Sequence, residues 1–386
     1  MVKFAHIADC HLGGWKYPEL QELNLQSFRM AIDSCIKEKP DFVLIAGDLF
    51  DTAFPGIEIL KESFAEFRKL KEAKIPCFII AGSHDYSVSG KTFLDVLEKA
   101  GFCKNVESIE ERGEFLYLNP VVYEGIAIYG YPGRKSGLEV PDIRRTKFND
   151  APGLFKIFML HTTIDKVRGN MPIDAVEYDS LQKADYYALG HIHVDFQYDK
   201  LVYPGPTFPN NFQELEDLGH GGMYIVETFP KVSLKRINFK IKEVLPITIE
   251  VKDAITATDK IIAELNEKNV QDKVILLRIA GELENGTNTD IKFQEIESFV
   301  KRKGAYFLLK NTHELKNKQI DTDININNPE NIEEETIKFY SEKNQSGFNH
   351  LVQQLINSLS IEKQEGETTD NFNKRLMEAS QKIFGL

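Results

Sequence analysis

The chain has 386 residues, more than one hydrophobic core usually organises, so several domains are expected. Hydrophobic residues make up 42% of it and charged ones 27%, which excludes a largely disordered chain, and no apolar run approaches the ~18 residues of a membrane-crossing helix. A formal charge of −12 excludes nucleic-acid binding by a general basic surface and leaves only local cations such as Arg134, Lys135, Arg144, Arg145, Lys166 and Arg168 for phosphate contacts.

The opening MVKFAHIADCH reaches a histidine and an aspartate too early for a secretion signal, so a cytoplasmic protein without membrane attachment is expected. Cys10, Cys35, Cys77 and Cys103 form no CxxC pair and read as reduced core thiols, with no zinc site. From residue 1 to about 188, short apolar runs alternate with helical patterns. Strands are predicted over 2–8, 41–46, 77–81, 125–129, 156–160 and 185–189, and helices over 19–37, 57–71 and 91–99. Strands over 221–228 and 232–240 complete a layered α/β domain spanning 1–240.

A second, small α+β domain is expected over 241–312, from strand, helix, strand, helix, strand patterns at 247–251, 257–267, 274–279, 291–301 and 305–309. The chain then turns polar and acidic, and 313–335 reads as a linker. Residues 336–386 hold two amphipathic helices, 337–359 and 372–384, which alone bury too little apolar area and call for a partner.

Four strand ends finish in metal-ligating residues. Asp9-Cys10-His11 follows the first strand, and side chains two apart on extended backbone face one way. Gly47-Asp48-Leu49-Phe50-Asp51 follows the second, Gly82-Ser83-His84-Asp85 the third, and Gly190-His191-Ile192-His193 the sixth; His161 closes the fifth. Taken singly, a DxH recurs by chance, Asp48 reads equally as a helix cap and His161 as a core histidine. Their co-occurrence carries the case, because five of nine histidines and two aspartates have no packing reason to collect at strand ends. Carboxylate and imidazole without thiolate suit Mn²⁺, Fe²⁺ or Zn²⁺, and six or more ligands are too many for one ion. Two ions ~3.5–4 Å apart, bridged by a carboxylate, clamp the oxygens of a phosphate ester.

In this order DxH, GDxxD, a GNH(D/E)-like GSHD, a lone histidine and GHxH resemble the calcineurin-like metallophosphoesterases. HIADCHLG, AGDLFDT and LGHIHVDF resemble the Mre-eleven/SbcD nucleases in particular. The resemblance implies a β-sandwich flanked by helices, a small capping domain and a C-terminal helical segment that binds a Rad-fifty/SbcC-type coiled-coil ATPase. It further implies a homodimer acting on DNA as a 3′–5′ exonuclease and single-strand endonuclease with two Mn²⁺ per subunit. One ion would take Asp9, His11, Asp48 and His193, the other Asp48, Ser83, His161 and His191, and His84 would be the catalytic residue that meets the scissile phosphate or leaving oxygen. Two positions depart from the family: its asparagine is Ser83 here, and the histidine common after GDLF is Asp51. The rival readings are a phosphatase or phosphodiesterase on the same fold, although Asp51-Thr52-Ala53 lacks the Asp-Arg-Gly of protein phosphatases, and a mainly scaffolding subunit. The dimer contact is expected on helices 57–71 and 91–102, through Ile59, Leu60, Phe64, Phe67, Phe93, Leu94, Leu97 and Phe102.

Overall fold

The computed structural model describes residues 2–87, 92–317, 349–361 and 369–384. Strands Lys3–Ile7, Phe42–Ala46, Cys77–Ile80 and Lys104–Asn105 run parallel, and Gly221–Glu227 and Ser233–Phe239 extend that sheet antiparallel beyond the first strand. A second six-stranded sheet is built on parallel strands Ile126–Tyr131, Phe155–His161, Tyr186–Gly190 and Leu201–Tyr203, with Val121–Tyr123 and Phe196–Tyr198 antiparallel at its edges.

The unbroken apolar character of these strands follows from burial on both faces. Phe4, Phe42, Leu44, Phe78 and Ile80 point inward from the first sheet and pack on Ile126, Ile128, Ile157, Met159 and Tyr186 of the second. In that seam His6 accepts or donates through Nδ1 to the Tyr186 hydroxyl at 2.8 Å, and burial holds its pKa down at about 3, so the imidazole is neutral. The alternate residues Ala5, Ile7, Val43, Ile45, Cys77 and Ile79 face outward onto helices Pro18–Glu38, Ile57–Glu72 and Phe93–Lys99. All four cysteines are free; three are buried in this outer core and Cys103 packs against it, with burial raising the Cys35 thiol to about 12.

Several elements exceed the periodic signal. A three-stranded sheet, Ile109–Arg112, Phe115–Leu118 and Thr146–Phe148, and helix Glu139–Arg144 cover the outer face of the second sheet. Helix Phe212–Leu218 makes two turns, too short for a periodicity test, and is fixed by its ends: Asn211 Oδ1 accepts from Glu214 N at 2.9 Å, and Gly219 closes it in the left-handed region. Apolar residues on helices Ile57–Glu72 and Phe93–Lys99 divide. Ile59, Phe67, Leu94 and Leu97 are buried in the chain's own core, while Leu60, Phe64, Phe93 and Phe102 are only partly covered.

A further layer follows, with Val244–Glu250, Val274–Leu283 and Phe307–Asn311 parallel and helices Ala254–Asn266 and Phe293–Arg302 on one face. The other face sets Val274, Leu276 and Leu309 against Trp15, Leu20, Leu23, Phe208 and Leu215, and residues up to Asn317 form one compact unit. Strand Leu315–Asn317 pairs with Gly281–Leu283, so pairing continues past residue 312, where the sequence places the end of this domain. In the second unit, helices Val352–Leu359 and Thr369–Phe384 pack on one another, with Ser358 Oγ and Ser380 Oγ 3.5 Å apart. Most of the expected linker, 318–335, and the first part of the expected helix 337–359 lie outside the described residues. Among the described residues no helix is long and apolar enough to cross a membrane.

Candidate metal centre

Parallel strands from both sheets end at one edge of the sandwich, and each ends in a polar residue of the sequence motifs. Asp9 and His11 follow Lys3–Ile7, Asp48 follows Phe42–Ala46, His84 follows Cys77–Ile80, His161 ends Phe155–His161, and His191 and His193 follow Tyr186–Gly190. Carboxyl ends of parallel strands are where α/β folds collect ligand sites. The backbone here is not the extended chain expected for DxH. Asp9, His11, Asp48 and His191 have φ values of 52°, 44°, 48° and 93°, a region non-glycine residues rarely adopt. Two loops lock this conformation, with Asp9 N donating to Gly47 O at 3.1 Å and His11 N to Asp48 O at 2.9 Å. Strain held by such cross-bracing is characteristic of functional sites.

Asp48 stands at the middle. Its Oδ2 lies 3.1 Å from His161 Nε2 and 3.6 Å from His11 Nε2, and its Oδ1 accepts from His84 N at 2.8 Å. Asp9 Oδ1 accepts from His191 N at 2.9 Å, and His11 Nε2 and His193 Nε2 are 3.0 Å apart. Three sets bring their ligand atoms within 4.8 Å: Asp9 with His11 and His193, Asp9 with Asp48 and His161, and His11 with Asp48 and His84. His84 therefore sits within ligand reach as well as at the cleft, with its side chain 47% exposed. His191 and Ser83 stand slightly apart, lining the cleft, and the His191 ring centroid is 5.1 Å from that of His161.

The donor set fits divalent cations on three observations. His161 Nδ1 donates to the Ala46 carbonyl at 2.9 Å, which points Nε2, the nitrogen a metal would take, at Asp48 Oδ2 3.1 Å away. Positive charge on or beside Nε2, a proton or a metal ion, is what makes that approach favourable. Asp9 Oδ2 and His161 Nε2 are buried without a hydrogen-bond partner, a costly condition that a ligated ion relieves. Burial alone would depress the His161 pKa, yet the Asp48 and Asp9 carboxylates raise it to about 10, and against its own burial Asp48 is held well below the carboxylate range by the His161 and His11 imidazoles and the His84 N–H. Two buried carboxylates thus demand positive charge at this point. His191 shows the opposite: burial, then the adjacent His161, lower it to about 3, leaving a neutral ring.

Around the ligands lie acceptors that fix them. Asp51 Oδ1 takes the His11 Nδ1 proton at 3.0 Å and an Asn210 Nδ2 proton at 3.3 Å, while the Asp51 carbonyl takes that of His84 Nδ1 at 2.9 Å. Glu214 Oε1 takes the His193 Nδ1 proton at 2.9 Å. Such partners set the tautomer that leaves Nε2 free to ligate. Buried Asp85 accepts from Phe50 N at 2.9 Å, Gly82 N at 3.0 Å and Leu49 N at 3.1 Å, tying the second and third motif loops together. Sequence reasoning assigned no role to Asp85, Asn210 or Glu214. The motif GSHD contains the first, but the other two are distant in sequence and carry no local signal.

Of the site residues, Ser83, His84 and His191 line a cleft of about 930 Å³ whose walls also include Phe54, Arg134, Lys135 and Ile173. Of the cations proposed for phosphate contacts, Arg134 and Lys135 reach this cleft. Arg144 pairs with Glu177, Arg145 with Asp142 and Glu111, and Lys166 with Asp165. Two motif glycines are sterically required. At Gly47, φ is 88° and a Cβ would enter the His161 ring; at Gly82 it would overlap Asp48 Oδ1 and its backbone nitrogen. Gly82→Ala is expected to leave the sandwich folded but displace Asp48, weakening divalent-cation binding roughly tenfold or more in a calorimetric titration of metal-free protein; unchanged binding would remove Asp48 from the ligand set.

Known proteins resemble this chain to differing extents. It is 31% identical over 236 residues to the uncharacterized metallophosphoesterase YhaO of Bacillus subtilis, a match covering 57% of this chain and 56% of YhaO, so it spans little more than half of that relative. Over 309 residues it is 28% identical to the DNA double-strand break repair protein Mre11 of Methanocaldococcus jannaschii, covering 77% of each chain. It is 27% identical over 309 residues to Mre11 of Saccharolobus solfataricus, covering 73% of this chain and 76% of that one. Residues 2–195, which carry every ligand described above, match the calcineurin-like phosphoesterase family, and the chain belongs to it.

Proposed function

We propose that the protein is a Mn²⁺-dependent DNA nuclease, a 3′–5′ exonuclease and single-strand endonuclease that processes ends in double-strand-break repair. The observation that carries this reading is the extent of likeness to the Mre11 relatives, 309 residues where the family domain covers 2–195, so that it takes in the small layer as well as the metal centre. Asp9, His11, Asp48 and His193 would hold one ion, and Asp48, His161, His191 and Ser83 the other, with Ser83 the weakest donor of the set. When bound, two such ions polarise a phosphate ester and lower the pKa of water. His84 presents its ring to the cleft while its Nδ1 is held by the Asp51 carbonyl, which aims Nε2 outward for the scissile phosphate or the leaving oxygen. Arg134 and Lys135 supply local positive charge that the net charge of −12 denies the rest of the surface.

The layer after Val244 acts as a capping domain in this reading, residues 313–335 as a linker, and the helices Val352–Leu359 and Thr369–Phe384 as the site for a coiled-coil ATPase. Ile356, Leu359 and Met377 on those helices are exposed, as helix-in-groove binding requires. The protein acts as a homodimer through the uncovered half of the outer helices, Leu60, Phe64, Phe93 and Phe102 with exposed Val96, since Ile59, Phe67, Leu94 and Leu97 are committed to the core.

Three experiments test these points. Purified protein should degrade DNA ends with Mn²⁺ and leave small phosphate esters largely intact; His84→Asn should abolish cleavage while Mn²⁺ binding survives, and Asp48→Asn should lose both. Preference for small esters, or a His84 variant cutting at the parent rate, would sink the assignment. Charged substitutions at Phe93 and Val96 should give a folded monomer on sizing chromatography, and a persistent dimer would refute the contact. Truncation after Lys318 should preserve folding and cleavage of simple substrates but abolish co-purification with the ATPase; retained co-purification would place the partner site elsewhere.

A further inference from the structure

Helix Phe212–Leu218 sits between the metal centre and the small layer and touches both with different side chains. On one side Glu214 Oε1 receives the His193 Nδ1 proton at 2.9 Å, and Glu214 is itself fixed by Asn211 Nδ2 at 2.6 Å and Asn210 N at 2.8 Å. On the other side Arg278, from the central strand Val274–Leu283 of the small layer, grips the same helix. Its Nη2 donates to Glu216 Oε2 at 2.5 Å and Gln213 Oε1 at 3.1 Å, its Nη1 to Glu314 Oε1 at 3.0 Å, and its guanidinium carbon lies 5.1 Å from the Phe212 ring centre. Three residues of one short helix, Phe212, Gln213 and Glu216, are thus held by one side chain that is only 14% exposed.

A helix of two turns has little rigidity of its own, because few backbone bonds close within it. Its orientation is set by what grips it, here Arg278 together with Leu215 packed on Val274 and Leu276. The ring of His193 turns with Glu214, and its Nε2 is the atom that meets His11 Nε2 at 3.0 Å. We propose that Arg278 is a positioning residue for the metal centre: through helix Phe212–Leu218 and Glu214 it sets the His193 ring, so the small layer governs how tightly the ion at Asp9, His11 and His193 is held. The proposal rests on reading the site as a two-ion centre. A guanidinium suits the role because its planar fork holds two acceptors in fixed directions at once, which an ammonium cannot do.

The consequence is selective. The ion at Asp9, His11 and His193 should respond to changes at Arg278, while a site dominated by His161 and His191 should not, since neither contacts this helix in the hydrogen bonds described. Metal-free protein titrated with Mn²⁺ by calorimetry reads both ions without reference to activity. Arg278→Ala should weaken one of the two binding events roughly tenfold, as loss of outer partners of ligating histidines does, and leave the other unchanged. Arg278→Lys should recover only part of the loss. Glu216→Gln, which leaves Arg278 in place, gives the same selective weakening in smaller measure and serves if Arg278→Ala fails to fold. The route is tested by combination: in a Glu214→Gln background, adding Arg278→Ala should weaken the ion no further. Unchanged affinities in a folded Arg278→Ala and Glu216→Gln pair, or full additivity with Glu214→Gln, would overturn the proposal. Failure of the parent to bind Mn²⁺ at all would overturn the two-ion reading and this proposal with it.

Discussion

Asp9 and Asp48 are buried carboxylates at the edge of an apolar sandwich, 0% and 2% exposed, and burying charge without a partner is among the costliest acts in folding. Much of the surrounding structure compensates for them. His191 N donates to Asp9 Oδ1 and His84 N to Asp48 Oδ1, while His161 and His11 turn imidazole nitrogens toward Asp48 Oδ2. These contacts do not complete the balance, since Asp9 Oδ2 and His161 Nε2 stay unpartnered. A bound divalent cation would satisfy both atoms and offset the charge of the two carboxylates.

The two-sheet sandwich makes that arrangement affordable. Strands buried on both faces are held by Phe4, Leu44, Ile128 and Met159 within and by the helices without, so their ends move little. Rigid strand ends carry the left-handed residues Asp9, His11, Asp48 and His191, whose conformations persist only where neighbouring structure over-determines them. Asp85 contributes by accepting three backbone protons from two different loops. Its burial and the nearby Asp48 raise its pKa to about 6, another sign that the local field is short of positive charge.

Electrostatics also separates the centre from the general surface. Arg144, Arg145 and Lys166 are held in ion pairs, and the net charge is strongly negative. Positive charge at the cleft comes from Lys135 and from Arg134, which also pairs with Asp142 at 2.9 Å, and both line it together with His84 and His191.

The sequence alone determined eight of the twelve strands of the sandwich and the residues at the ends of the central ones, while the short strands Lys104–Asn105, Val121–Tyr123, Phe196–Tyr198 and Leu201–Tyr203 left no periodic signal. Continuous apolar runs have few ways to be buried, and motifs such as Gly47-Asp48, Gly82-Ser83-His84-Asp85 and Gly190-His191-Ile192-His193 carry residue types and glycines that local chemistry makes conspicuous. Tertiary structure decided what local patterns cannot encode. The DxH pair proved left-handed and not extended, because bonds from Asp9 and His11 to the second loop override local preference. Half of the apolar residues on helices Ile57–Glu72 and Phe93–Lys99 proved to be core, because which face of a helix meets a sheet depends on the sheet's position. Glu214, the partner of His193, Asn210, the partner of Asp51, and the Arg278 that braces the helix of Glu214 come from segments far along the chain. A hydrogen bond across such a separation leaves no mark in local sequence, and only the folded chain brings its two ends together.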